Sequence, residues 1–111
     1  MDWEQARARS VAHWQRILGA IGTGEPFELM QEVNAVIALC EMARREARAH
    51  GDWRICRYCL AFQQIGGCSE LQREMMGALI ARNWDRARQH AAHAIALLEA
   101  LEVPAATSLA I

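Results

Sequence analysis

Lysine is absent from this chain. Its 12 basic residues are all arginine, set against 13 acidic ones for a formal net charge of −1. Such a balance leaves no concentrated positive charge for a phosphate backbone, which argues against nucleic acid as the main partner. No apolar run approaches the roughly 20 residues that a membrane helix needs, so a membrane is not an expected partner either. The opening Met1-Asp2-Trp3-Glu4-Gln5 is acidic, and no apolar core with a small-residue cleavage site follows it. The cytoplasm is therefore the expected compartment, where four cysteines stand as reduced thiols or as metal ligands. Strand-like alternation is missing too, and valine and threonine are scarce. Neither a Gly-x-Ser-x-Gly turn nor a phosphate-cradling glycine loop occurs. Ser10, Thr23, Ser69, Thr107 and Ser108 are few, with Thr23 and Ser69 better read as caps. No familiar catalytic route is expected.

What the chain has is helical periodicity, from Trp3 to Leu101. Its 111 residues, 53% hydrophobic, predict one all-α domain over 1–103 with a tail over 104–111. The expected architecture is an antiparallel bundle of four to five helices built from helical hairpins. Asp2 with Gln5 forms a capping box for a first helix ending near Ala20. Pro26 suits the first turn of a second, whose stripe Leu29, Val33, Val36, Cys40, Ala43 and Ala47 predicts one continuous element reaching His50-Gly51. Asp52 caps a third, apolar almost all round from Trp53 to Ile65, as a central buried helix is. Gly66-Gly67 ends it. Ser69 with Gln72 opens a fourth, running to about Arg82, and Asn83 caps a fifth from Trp84 to Leu101. The stretch from Trp84 to Leu97 resembles the second helix of a tetratricopeptide repeat, which implies helix-hairpin packing there.

Cys40, Cys56, Cys59 and Cys68 are the strongest carriers of chemistry. Cys56-x-x-Cys59 puts two sulfurs on one face, a spacing usable by zinc, an iron–sulfur cluster or a redox pair. A hairpin turning near Gly51 would bring Cys40 to them. A third helix continuous through Ile65 would instead hold Cys68 roughly 12 Å from Cys59, too far for one zinc ion. A three-cysteine site completed by Met75 would suit copper(I). Against all of these stands the expectation that the cysteines simply pack as small hydrophobes.

His90 and His93 lie one turn apart without an i+4 carboxylate. Arg44, Arg45, Arg48, Arg54 and Arg57 flank the turn after the second helix, with Glu41, Glu46 and Asp52 as nearby counter-charges. Trp3, Trp53 and Trp84 stand at helix starts, where a tryptophan closes a bundle end or anchors a partner. The function expected from composition is an interaction or adaptor module, self-associating as a homodimer and needing no cofactor. The alternative is a metal-binding (zinc, copper or iron–sulfur) or thiol-redox protein using the cysteines.

Overall fold

The structure, a computed structural model, describes residues 1–104; the expected tail falls, from Ala105 onward, outside the described residues. Helix α1 (Trp3–Ala20) opens on the capping box: the Asp2 carboxylate accepts from the Gln5 N–H at 2.8 Å, and the Asp2 N–H donates to Gln5 Oε1 at 3.0 Å. Its buried residues, Ala6, Ser10, His13, Trp14 and Ile17, fall at helical spacing on one face. Helix α2 (Pro26–Asn34) buries Leu29 and Val33, and α3 (Ala38–Ala49) buries Leu39, Met42, Ala43 and Ala47. A short α4 (Leu60–Ile65) precedes α5 (Ser69–Ile80) and α6 (Trp84–Glu99). Asn83 caps α6, accepting from the Arg86 N–H at 3.2 Å. The all-α bundle is as expected, and among the described residues there is no strand. No described helix is long and apolar enough to cross a membrane.

The bundle is organised around α1, which packs most extensively on α6 and also meets α3 and α2. The α1–α6 pair is antiparallel. Arg7 near the start of α1 donates to the Leu101 carbonyl at 2.8 Å, and Arg88 near the start of α6 donates to that of Ile21 at 3.4 Å. Ala87, Ala91, Ala94 and Leu98 recur along the buried face of α6, small enough for close approach. α5 packs on α6, as hairpin packing implies, and its Gln72 donates to the Val33 carbonyl of α2 at 3.1 Å.

Two expected helices are broken. The second stops at Asn34, turns through extended backbone at Ala35 (ψ 149°) and Ile37 (ψ 163°), and resumes as α3. The break lets the start of α3 meet α1. There Ser10 Oγ, donating to the Ala6 carbonyl at 2.8 Å, accepts from the Leu39 N–H at 3.2 Å, a cap lent by another helix. The third expected helix is mostly not α-helical. Residues Ile55–Tyr58 form a 3₁₀ turn, Cys59 is extended (ψ 127°), and only Leu60–Ile65 is α-helix. Nor is it buried all round: Trp53 is 85% exposed and Phe62 50%.

Candidate functional site

The broken third element decides where the thiols go. Asp52 organises it: Oδ1 accepts from the Arg54 N–H and Nε, each at 3.0 Å, and Oδ2 from the Tyr58 hydroxyl at 3.0 Å. A side chain accepting from the amide two residues on competes with helix formation, and here it wins. Hydrogen bonds from Arg54, then from Tyr58, hold the Asp52 carboxyl well below the usual carboxylate range. Burial first, then the Asp52 carboxylate, push the Tyr58 hydroxyl up. The Tyr58 ring stacks on His50 with centroids 5.2 Å apart, and His50 Nδ1 lies 2.9 Å from the Glu46 carbonyl at the end of α3. The loop is thereby tied to the helix that carries Cys40.

Cys59 donates its N–H to the Cys56 carbonyl at 3.1 Å, closing the 3₁₀ turn. Beyond the turn Cys59 is extended and buried, whereas Cys56, on the turn, stays exposed. The left-handed Gly66 (φ 82°) and Gly67 (φ 103°) then reverse the chain after only six residues of α4. At both, a side chain would be strained, and at Gly67 a Cβ would also press on Phe62 at 3.3 Å. This early end overturns the argument that a continuous helix excludes Cys68. Cys68 comes back as the residue before α5, beside the other thiols.

The Cys40 thiol neighbours those of both Cys59 and Cys68. Cys59 is buried, Cys40 and Cys68 are half-buried, and Cys56 is exposed; all four are free thiols. The expectation of plain core packing therefore suits Cys59 and fails for Cys56. Among the described residues no group of three or more cysteine, histidine or carboxylate side chains is disposed to hold an ion as it stands. The hydrogen bond with Cys40, then burial, push the Cys59 thiol far up. The hydrogen bond from Cys40 pulls Cys68 down against its burial. At Cys40 the bond with Cys59 pulls down, but that with Cys68, burial and the Cys68 charge prevail and raise it. Each of the three thiols is thus perturbed by its neighbours as well as by burial.

The other expected residues disperse. Met75 is fully buried on α5, two helical turns beyond Cys68. His90 turns to Glu74 across the α5–α6 pair, 3.4 Å away, while His93 is exposed. Arg54 and Arg57 both face Asp52, and Arg44, Arg45 and Arg48 line a shallow hollow with Glu41 on the outer side of α3. Trp3 and Trp84 pack against the core, which leaves Trp53 as the exposed one of the three.

No family model, curated protein or solved structure matches this chain.

The organising role of Asp52 went beyond the cap expected of it. The signal for that role is local: an Asx residue two before an arginine and six before a tyrosine, each able to donate to its carboxylate.

Proposed function

We propose that this chain is a metal-binding protein in which Cys40, Cys56, Cys59 and Cys68 supply thiolates to a soft or borderline cation. One observation carries the reading: the Cys40 thiol of α3 neighbours those of Cys59, just after the 3₁₀ turn, and Cys68, just before α5, where the chain departs from helix. Gathering three separate segments around small apolar thiols brings little burial. Of residues 50–68 only Cys59, Leu60 and Ala61 are buried, with Ile55, Tyr58, Ile65 and Cys68 partly buried against the core, a small apolar hold for a segment of this length. An ion bound by four thiolates would close it, since metal binding supplies folding free energy to segments with too small a core. Closing the cage requires the thiols to lose protons and to rotate about χ1, the one side-chain torsion of cysteine that moves its sulfur.

The test is elemental analysis with thiol counting on freshly purified, untagged protein. About one equivalent of a thiophilic metal is expected, together with thiols that react slowly until the metal is chelated. Protein that contains no such metal, and takes up none when reduced and offered zinc or cobalt(II), overturns the reading.

A second reading is an interaction module, and it is favoured by Trp53, 85% exposed on the segment that the thiols would hold. A large rigid aromatic held out in water suits a contact anchor. The self-associating form of this reading is tested by light scattering on the native protein and on Trp53→Ala. A dimer that the substitution weakens supports it, and a wild-type monomer at micromolar concentration counts against it.

A further inference from the structure

We infer that the hollow between α5 and α6 binds a small phosphomonoester, with its phosphate on Arg73 and Arg86 and its organic part laid over the bare backbone of Gly77. No cysteine lines this hollow, so the inference stands independently of the metal reading. The hollow holds about 420 Å³, a volume suited to a small ligand. Arg73, Gly77 and Ala81 follow one another at four-residue steps along α5, and so share one face of it. Arg86 and His90, one turn apart on α6, line the hollow from the other helix.

Gly77 is the first support. It stands inside the 12-residue α5, where glycine destabilises a helix relative to alanine. Its φ is not left-handed, and a Cβ built on it would meet no atom within 4 Å. Neither backbone conformation nor a close neighbour therefore calls for glycine. What the missing side chain leaves is open space in the hollow, on an apolar floor continued by Ala78 and Ala81. The second support is charge. Arg73 and Arg86 are exposed, and neither guanidinium pairs with a carboxylate among the described residues. The one carboxylate lining the hollow, Glu74, is turned to His90 instead, with Oε2 3.4 Å from Nδ1. Two free guanidiniums on facing helices offer planar forks that match the oxygens of a phosphate. The volume beyond the phosphate, over glycine and alanine, suits a flat apolar group.

The experiment is calorimetric titration of the reduced full chain with phenyl phosphate, a dianion near neutral pH, beside inorganic phosphate. Phenyl phosphate is expected to saturate one site at millimolar concentration or below, more tightly than inorganic phosphate, and to weaken with added salt. Arg86→Gln should lower its affinity by about 10- to 100-fold, the scale of a lost charge-assisted hydrogen bond. Gly77→Leu should abolish binding while melting about 2–6 °C above wild type, because it gains helix propensity and meets no neighbour. Lost binding in a more stable variant cannot come from unfolding. No saturation by phenyl phosphate, or wild-type affinity in Gly77→Leu, overturns the site. Inorganic phosphate bound as tightly as phenyl phosphate overturns the role of the apolar floor.

Discussion

The α1–α6 seam and the stretch from His50 to Cys68 are held by different means. Along the seam Ala6 of α1 and Ala87, Ala91 and Ala94 of α6 are all 0% exposed, small side chains on the buried faces of the two helices. Helices that approach so closely gain many weak contacts per residue and lose little side-chain entropy. The cysteine stretch buries only Cys59, Leu60 and Ala61. It is guided by polar and sulfur groups: the Asp52 carboxylate, the His50–Tyr58 stack and the thiols around Cys40. One region is stabilised by shape, the other by chemistry at a few atoms. The two should therefore respond to different perturbations.

If the thiols hold the ion proposed for them, the largest difference is expected on removing it. An ion present at 1,000 times its dissociation constant contributes about 4 kcal/mol to the state that binds it. Chelation should speed amide exchange across residues 50–68 while the amides of α1 and α6 keep their protection. Equal acceleration in both regions would show that the two are one cooperative unit and erase the contrast.

Next comes the seam itself. Ala91→Leu puts three extra carbons where the wild-type side chain is 0% exposed, and overpacking of this kind costs about 2–3 kcal/mol. Urea denaturation should show that loss, and the stoichiometry of any metal taken up should not change. A variant as stable as wild type would mean that the seam has slack, contrary to close contact.

The same contrast explains what could be read in advance. Asp2 and Gln5, Asn83 and the alanine stripe of α6 act through local spacing alone, and the structure has them as expected. The break at 35–37 has no such signal. Ala35, Val36 and Ile37 include neither glycine nor proline and continue an apolar stripe. Their extended backbone is set by α1, whose Ser10 meets the Leu39 N–H, a partner 29 residues away in sequence. Trp53 to Ile65 misled for a related reason. An apolar composition predicts burial, but Asp52 draws the Arg54 amide and the Tyr58 hydroxyl to itself and starts a turn instead. Once that helix is broken, Cys68 joins the cluster that helix length had denied it. Side chains reaching across the fold, or competing with the backbone, leave no periodic trace.

Ser10 gives a sharper and smaller test. Its hydroxyl is fully buried and serves the Leu39 N–H at the start of α3, where Ile37 offers no side-chain cap. Ser10→Ala leaves that amide without its partner, at a cost of about 1–2 kcal/mol. Thermal or urea unfolding should record the loss. If Ser10→Ala is neutral, water or a small shift of α3 satisfies the amide, and the break at 35–37 needs another cause.

The smallest effect belongs to the polar side of the comparison. In the folded protein the Asp52 carboxyl is held below its ordinary range, chiefly by Arg54. A group depressed in this way adds stability that is fully present above the ordinary carboxylate value of ~4 and is lost as the pH falls toward the folded value. The loop, read through the fluorescence of the adjacent Trp53, should therefore loosen on acidification below about pH 4 in reduced, metal-free protein, and the seam should not follow it locally. Asp52→Asn keeps an acceptor for the Arg54 amide but removes the charge, so it should flatten this part of the acid response. Because Arg54 and Arg57 are largely solvated, with side chains 52% and 61% exposed, the change should be modest and should shrink with added salt. An Asn variant with the same acid profile as wild type would show that hydrogen-bond geometry at residue 52, and not its charge, sets the course of the cysteine segment.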